Sequence, residues 1–543
     1  MRARQQHVDY DAVVVGAGFS GLYMLHLLRE AGYSVKVYEA GDDVGGVWYW
    51  NRYPGARCDS ESIYYNYTFS KELYEEWSWS SRFPTQPEIL DYLNFVADKF
   101  DLRRDIEFGT RVTSAHFHEA SNSWEVTTGD GETVRSQFFI TGVGCLSTAN
   151  LPQFEGIDRF KGDWYHTGNW PHEGVDFRGK RVGIIGTGSS GIQSIPMIAK
   201  EAEHLTVFQR TPQYSIPAEN HPYDQAYIEQ VKGDFENLRD SMRHSNSGLA
   251  IPPGERSALE DPPEKREKIF EEAWNKGSLY LLNAYNDFMV NADANESVSS
   301  FIREKIGEIV EDPEIAEKLK PTYYFGTKRP VLDTDYYETY NRDNVSLVDV
   351  KAHPIEEITE RGVQTSAEEH ELDIIVFATG YDAMTGTLLK MDIRGRDGTS
   401  LHDKWAGGSS VQTYLGLALN GFPNMFTITG PESPSVLSNM PVSIEQHVEW
   451  IHDFIQYMDE HNMTRAEAEA EAEREWSQHC REVAEQTLFV QTDSWYTGAN
   501  IDGKPRGFPI YLGGVGPYRN ICEDVASNGY KGFTLNSLSE QKI

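Results

Sequence analysis

The sequence contains few cysteines and few basic residues for its length. Its four cysteines, Cys58, Cys145, Cys480 and Cys522, form no CxxC pair, and none is clustered with histidine. We therefore expect no disulfide, no thiol-redox catalysis and no metal site. The 49 Lys and Arg residues against 84 Asp and Glu residues give a net charge of −35. That charge argues against nucleic acid as a partner, because phosphates would be repelled.

Long apolar runs are also missing. No run of about 18 apolar residues exists, so we expect no membrane-spanning helix. The short run at residues 12–15 leads directly into a glycine turn, so we interpret it as a strand rather than part of a signal peptide. A cytoplasmic protein without membrane contact is expected. The acidic surface is attributed to solubility, with adaptation to salt as the alternative.

The first of two glycine-rich turns follows that strand and has the pattern GxGxxG, with Gly16, Gly18 and Gly21. A helical pattern comes after it, and then a second strand that ends at Glu39. Strand, glycine turn, helix, strand and acid are the dinucleotide fingerprint in its usual context. The glycines let the backbone approach a pyrophosphate, and Glu39 can accept hydrogen bonds from ribose hydroxyls. This unit favours FAD.

The second glycine turn has the same pattern but ends differently. Gly186, Gly188 and Gly191 follow a strand, and the next strand leads into Arg210 and Thr211. An arginine at this position cannot accept from a ribose hydroxyl, but it suits a 2′-phosphate. The second unit therefore favours NADP(H). The alternative, an ordinary surface arginine, remains open from the residues alone.

A motif between the two turns resembles a family signature. Phe160, Gly162, His166 and Trp170 follow the pattern FxGxxxHxxxWP, which resembles the fingerprint of the type I Baeyer–Villiger monooxygenases. Residues 45–59 and 373–380 also resemble that family, although many flavoproteins with two dinucleotides share the latter string. The resemblance extends over nearly the whole chain. It is closest to the phenylacetone and steroid monooxygenases, with cyclohexanone monooxygenases more distant.

The resemblance implies the activity. NADPH would reduce FAD, O2 would give a C4a-peroxyflavin, and a ketone (aryl, cyclic or steroid-like) would become an ester or lactone. Arg329 matches the active-site arginine of the family, and Asp59 the carboxylate that orients it. Lys328 matches a residue near the 2′-phosphate, beside Arg210. One alternative is a related flavin monooxygenase that oxygenates nitrogen or sulfur. A second is a flavoprotein that transfers electrons without oxygenating.

Other site residues are also expected from the resemblance. Gly46 and Trp48 should face the flavin, although Trp48 could also be a core aromatic. His166 receives no role as a proton-transfer base, because the family motif lies away from the flavin. Residues 491–507 are expected to form a mobile loop that closes over the active site. The expected substrate or loop residues are Ser435, Val436, Leu437, Met440 and Trp495.

The predicted fold class is α/β, with two Rossmann-like dinucleotide-binding domains and a helical insertion. Residues 1–145 and 385–543 should form the FAD domain, and residues 151–212 and 329–384 the NADP domain. Residues 213–328 should form the insertion, which we expect to shape the substrate cavity. In the last part of the chain, Ser443 and Gln446 suggest a capping box that opens one helix, and Thr464 is expected to open another. The oligomeric state is left open, with a monomer as one option.

Overall fold

The structure, a computed structural model, describes residues 8–537. Its strands are, in chain order, β1 (Tyr10–Val15), β2 (Val35–Tyr38), β3 (Ile106–Glu107), β4 (Val112–His118), β5 (Ser123–Thr128), β6 (Thr133–Thr141), β7 (Asp163–His166), β8 (Arg181–Ile185), β9 (His204–Gln209), β10 (Ser215–Pro217), β11 (Val331–Asp333), β12 (Val345–Asp349), β13 (Ile355–Ile358), β14 (Gly362–Thr365), β15 (Glu369–Glu371), β16 (Ile374–Phe377), β17 (Asp392–Arg394), β18 (Met425–Thr427), β19 (Met463–Ala468) and β20 (Phe533–Ser537).

Helices lie between many of these strands. They are α1 (Phe19–Glu30), α2 (Val47–Trp50), α3 (Lys71–Glu76), α4 (Gln86–Lys99), α5 (Ser189–Glu201), α6 (Gln225–Gly233), α7 (Phe235–His244), α8 (Pro263–Lys276), α9 (Ala292–Ile309), α10 (Pro313–Leu319), α11 (Tyr336–Thr339), α12 (Gly386–Lys390), α13 (Leu401–Lys404), α14 (Met440–Glu460), α15 (Ala470–Glu485) and α16 (Val515–Ser527). Within residues 8–537, no helix is both long enough and apolar enough to cross a bilayer.

The first glycine turn belongs to an eight-stranded sheet. Its strand order is β17-β4-β5-β6-β1-β2-β3, with β18 also paired to β6. The strands β1, β2, β3, β6 and β18 run parallel, and β5 is antiparallel to both β4 and β6. Helices α1 and α14 pack together on this sheet in one apolar cluster with β1 and β2. The parallel β1-α1-β2 unit is the one predicted from the sequence.

The second glycine turn belongs to a five-stranded parallel sheet. Its order is β12-β9-β8-β16-β7, and helix α5 connects β8 to β9. Strands β8 and β16 are almost continuous apolar runs, as expected of strands covered on both faces. The two sheets together confirm the predicted α/β fold class.

The segment between the second turn and Arg329 is mainly helical. Helices α6 to α10 all fall between residues 225 and 319. Helix α9 buries Phe301, Ile302 and Ile306 on one face. Three small sheets were not predicted: the parallel pair β10-β11, the antiparallel sheet β13-β14-β15 and the antiparallel pair β19-β20. The pair β10-β11 joins the predicted insertion to the predicted NADP domain, and the domain boundaries given above stay a proposal.

Two local predictions near the end of the chain are wrong. Ser443 does not cap a helix, because α14 already begins at Met440, after Asn439, and places Ser443 in its interior. Thr464 does not open a helix either. It lies in β19, which pairs antiparallel with β20, and the following helix begins at Ala470.

Candidate active site

The first turn brings two backbone segments into direct contact. A Cβ atom on Gly18 would lie 3.2 Å from the Cα of Gly46, and Gly46 itself has a φ of +55°. Only glycine fits this approach without strain. Helix α1 begins at Phe19 with Gly18 as its N-cap, so no side chain caps its first N–H groups. This cradle fits a pyrophosphate, which would accept from those groups.

The residues flanking this cradle are firmly held. The Glu39 carboxylate accepts from the backbone N–H groups of Ala17 and Gly41, each at 2.7 Å, at the end of β2. Burial raises its pKa, and these hydrogen bonds oppose that shift. The indole of Trp48 donates to the hydroxyl of Tyr65 at 3.0 Å and lies half-buried beside the cradle.

The second turn has the same architecture, but the space beside one of its glycines is open. A Cβ on Gly191 would lie 2.2 Å from the carbonyl oxygen of Gly186, so this glycine is required by the fold. A Cβ on Gly188 would meet no atom within 4 Å. Gly188 caps α5 with extended backbone angles that any residue can adopt. The space beside it is where a dinucleotide pyrophosphate would approach.

Two cations lie near the end of β9. Arg210 is exposed, and Lys328 lies half-buried with its Nζ 4.8 Å from the centre of the Tyr323 ring. Burial lowers the pKa of Lys328, the charge of Arg210 lowers it further, and Asp493 opposes the shift. Two like charges in one neighbourhood favour an anion between them. Thr211, next in sequence, accepts on its backbone oxygen from the Thr187 hydroxyl at 3.0 Å.

Arg329 and Asp59, 270 positions apart in the sequence, form a two-point ion pair. Arg329 Nε donates to Asp59 Oδ2 at 2.5 Å, and Nη2 donates to Asp59 Oδ1 at 2.7 Å. The remaining nitrogen, Nη1, donates to the backbone oxygen of Val436 at 2.6 Å. The guanidinium is therefore fixed from two sides, which is the geometry that favours arginine over lysine.

The pair stays charged. Burial alone would lower the pKa of Arg329, but Asp59 outweighs burial and raises it above the usual range. Burial alone would raise the pKa of Asp59, but Arg329 outweighs it and keeps that pKa below the ordinary value. Their side chains keep 29% and 21% of their exposure, so a ligand can reach them. The site therefore offers a permanent, oriented positive charge.

The predicted substrate residues come together beside this cation. Ser435–Leu437 forms a short 3₁₀ turn directly before α14. Val436 is buried in an apolar cluster against which Leu437, Met440 and Trp495 pack half-buried. The hydroxyl of Ser435 donates to Thr429 O at 3.4 Å and lies 3.8 Å from the sulfur of Met384. An apolar ketone would find both an apolar wall and Arg329 here.

The fingerprint motif lies on and after β7. His166 Nδ1 accepts from the Gly168 N–H at 2.9 Å, so the ring hydrogen is on Nε2, which is 3.2 Å from both Asn150 O and the Thr379 hydroxyl. Burial lowers the pKa of His166. Both ring nitrogens of this imidazole therefore have partners within the protein.

The other motif residues are packed. A Cβ on Gly162 would lie 2.3 Å from the backbone oxygen of Asp373, and the ring of Phe160 lies close beside it. Trp170 is buried, with its ring centre 6.3 Å from that of Phe177. These contacts tie the motif to the second sheet.

Three residues of the site were not predicted from the sequence. Tyr496 is buried in the cluster of Val436, and Cys145 lies in the same cluster. The side-chain amide of Gln213 donates to the backbone oxygen of Arg329 at 3.1 Å. The one available signal was the position of Tyr496 next to Trp495, in a loop already expected to close over the site.

The fold and the site define a protein that binds two dinucleotides, with two cations near the second glycine turn and a fixed guanidinium beside an apolar cluster. Comparison with known proteins agrees with this class. Residues 10–232 match the family model described as "Flavin-binding monooxygenase-like". A Baeyer–Villiger monooxygenase of Pseudooceanicola batsensis is 47% identical over 98% of this chain and 97% of the relative.

Two further comparisons cover the whole length. The solved structure of an oxidized steroid monooxygenase bound to NADP is 51% identical, with a TM-score of 0.93 over 97% of this chain and 99% of that one. A phenazine N-monooxygenase of Lysobacter antibioticus is 44% identical over 97% of each chain. This chain belongs to the flavin-binding monooxygenase family and, within it, to the Baeyer–Villiger monooxygenases.

Proposed function

We propose that this enzyme uses NADPH and O2, with bound FAD, to convert ketones into esters or lactones. The comparisons confirm the predicted family, the activity class and the two cofactors. The observation that supports the role of this site is the two-point pair of Arg329 with Asp59, facing the apolar cluster of Val436. The use of O2, the cytoplasmic location and the oligomeric state stay predictions.

The bound cofactors supply the electrons and the activated oxygen. The protein supplies binding, orientation and charge. Arg329 keeps two N–H groups that neither Asp59 nor Val436 occupies, and these would donate to the ketone oxygen as negative charge develops there. Asp59 fixes the direction of those groups, and Val436 O prevents rotation of the guanidinium. Arg210 and Lys328 would hold the 2′-phosphate of NADPH.

The nucleotide assignment is tested at Arg210. Replacing Arg210 with Ala should raise the KM for NADPH at least about tenfold, because a charge-assisted contact is worth roughly 1.5–3 kcal/mol. The KM for NADH should hardly change, because NADH lacks the 2′-phosphate. Steady-state kinetics with both nucleotides measures this. Arg178→Ala, which removes an exposed arginine paired with Asp176, is the matched control. An unchanged NADPH/NADH preference in Arg210→Ala would refute the assignment.

The substrate pocket is tested at Val436 and Leu437. Changing either to Ala should enlarge the apolar cluster and admit bulkier ketones, while the backbone oxygen that fixes Arg329 is retained. Reduction of FAD by NADPH should stay near the wild-type rate. A ketone panel read by mass spectrometry, beside stopped-flow flavin reduction, measures both. Val442→Ala, an equal deletion in a different buried cluster, should leave the substrate range unchanged. If the range of accepted ketones is unaltered while the rate of FAD reduction by NADPH falls sharply, the substrate does not bind beside Val436 and Leu437.

Oxygenation of nitrogen is the second candidate, because one relative is named a phenazine N-monooxygenase. The permanent charge of Arg329 beside an apolar pocket favours the ketone reaction, since it stabilises negative charge on a carbonyl oxygen. Parallel assays with cyclohexanone and with a tertiary amine distinguish the two. We expect the enzyme to form more lactone from cyclohexanone than N-oxide from the amine. The reverse order would favour oxygenation of nitrogen.

A further inference from the structure

Glu432 is a buried acid shortly before the substrate turn Ser435–Leu437, and it is only 4% exposed. Its Oε2 atom accepts from the Thr413 N–H at 2.8 Å, from the Thr413 hydroxyl at 3.0 Å and from the Ser477 hydroxyl at 2.7 Å. These donors are all neutral groups, and no hydrogen bond from a lysine or arginine reaches this carboxylate within residues 8–537. A buried carboxylate without a cation is costly, so the neutral form competes with the ionised form.

The Thr413 hydroxyl lies within hydrogen-bond distance of two acceptors. Its Oγ1 is 3.0 Å from Glu432 Oε2 and also 3.0 Å from the backbone oxygen of Pro431. A hydroxyl has one hydrogen, so it donates to one acceptor at a time. The ionised carboxylate is the stronger acceptor and takes this hydrogen, which leaves Pro431 O without it. When Oε2 is protonated, it can donate to Thr413 Oγ1, and the Thr413 hydrogen then goes to Pro431 O.

Residues 432 and 433 are also fixed by three other parts of the chain. The Glu432 N–H donates to Pro509 O at 2.9 Å, and the Tyr511 N–H donates to Ser433 O at 3.0 Å. The indole of Trp476, on α15, donates to Glu432 O at 3.1 Å. Residues 509–511 come shortly after the segment that is expected to close over the site. The hydrogen bonds of Glu432 therefore lie between that segment and the substrate turn.

The backbone between Glu432 and Val436 is held in an unfavourable conformation. Glu432 has a φ of +66° and Ser435 a φ of +40°, which residues other than glycine seldom adopt. Such angles persist where the surroundings hold them. Four residues after Glu432, the backbone oxygen of Val436 accepts from Arg329 Nη1 at 2.6 Å. A change in how residue 431 is held should therefore alter the wall of the substrate pocket beside Arg329.

The elements packed against Glu432 carry few titratable groups. They are Arg481, Cys480 and His479 on α15, Tyr414 next to Thr413, and Tyr511. Burial raises the pKa of Glu432 to about 7, while the hydrogen bonds from Ser477 and Thr413 and the charge of Arg481 oppose the shift. Burial also raises the pKa of both tyrosines to about 12 and that of Cys480 above its usual range, so these three stay neutral. Histidine is the other side chain that changes charge near neutral pH, so the exposed His479 is the natural control.

We propose that Glu432 is a positioning residue for ketone binding, because its protonation decides whether the Thr413 hydroxyl holds Glu432 or Pro431. This inference rests on the proposed function and extends it. The proton comes from the solvent and returns to it, and none passes to the substrate or to a cofactor. The neutral arrangement provides a donor for Pro431 O and leaves no buried charge, so it should hold the substrate turn more firmly than the ionised arrangement.

The test is Glu432→Gln in the FAD-loaded enzyme, because the amide is neutral at every pH and can donate to Thr413 Oγ1. In the wild type, the KM for cyclohexanone should be roughly 2- to 10-fold higher at pH 8 than at pH 6, the value of one neutral hydrogen bond. In Glu432→Gln the KM should stay near the pH 6 value at both pH values, with kcat at pH 6 near that of the wild type. His479→Gln should keep the pH dependence of the wild type.

A second readout does not depend on turnover. Since the pKa of Glu432 is raised in the folded chain, the folded state loses stability as the pH rises through about 7. The melting temperature of Glu432→Gln, relative to that of the wild type, should therefore be higher at pH 8 than at pH 5. A difference that does not vary with pH overturns the proposal, and so does an equal pH dependence of KM in Glu432→Gln and the wild type. If the wild type converts no ketone, the proposed function fails, and the melting temperatures still test the titration of Glu432.

Discussion

Arg329→Ala is expected to bind both nucleotides and to oxidise NADPH slowly, yet to form almost no ester. The arginine supplies the only guanidinium paired with Asp59 in the described part of the chain, and nothing else there provides a fixed charge at that point. Losing a preorganised donor of this kind costs on the order of 10²–10³ in rate. The reducing equivalents should appear as hydrogen peroxide. Product analysis and peroxide determination, referred to NADPH consumed, measure the effect.

Two neighbouring variants separate charge from orientation. Arg329→Lys keeps the charge but loses the planar fork that contacts both Asp59 and Val436, so it should also be badly impaired. Asp59→Ala should slow the reaction less than Arg329→Ala, because it removes the orienting partner and leaves the cation. Arg181→Ala breaks another two-point arginine–aspartate pair, with Asp373, and is the matched control. Ester formation by Arg329→Ala near the wild-type rate would contradict this role.

Gly188→Ala is expected to keep the fold and the FAD content but to lose most of its affinity for NADPH. The protein leaves the space beside Gly188 open, and its backbone angles suit alanine. The added methyl group would instead meet the pyrophosphate and displace it from the first N–H groups of α5. Losing two charge-assisted contacts of roughly 1.5 kcal/mol each raises the Kd about 10²-fold. Thermal unfolding and nucleotide titration measure the two effects separately.

Two other glycines serve as controls for that variant. Gly233→Ala also adds a methyl group in open space, at the end of α6, and should affect neither stability nor NADPH binding. Gly191→Ala would place its Cβ 2.2 Å from a backbone oxygen and should lower the melting temperature. If Gly188→Ala binds NADPH as tightly as the wild type, the second turn is not the nucleotide site.

Features that depend on neighbouring residues could be predicted from the sequence. The strand, glycine turn, helix and second strand around Gly18 and Gly188 each extend over about 30 residues, and the structure has both units. Local patterns failed where a distant partner decided the outcome. Thr464 lies in a strand because β20 pairs with it from the end of the chain. Ser443 matched a capping box, but the helix had already begun after Asn439.

The active-site pair shows the same limit. The residues alone do not assign Arg329 to the active site, because its partner Asp59 is 270 positions away and no periodicity connects them. Only the family resemblance predicted that Arg329 and Asp59 form a pair. Tyr496 was missed because adjacent aromatic residues look alike in the sequence, and the short 3₁₀ turn decides which of them is buried beside Val436. The buried position of Tyr496 depends on packing against Phe489 and Phe508.

The proposed reaction inserts one oxygen atom of O2 next to the carbonyl group of a ketone. The most direct measurement is conversion of cyclohexanone under oxygen-18 gas by the purified FAD-loaded enzyme with NADPH, with mass spectrometry of the product. We expect a lactone with one heavy oxygen, in the ring position, with about one NADPH consumed per product. A lactone with oxygen from water, or NADPH consumption without any oxygenated product, would contradict it.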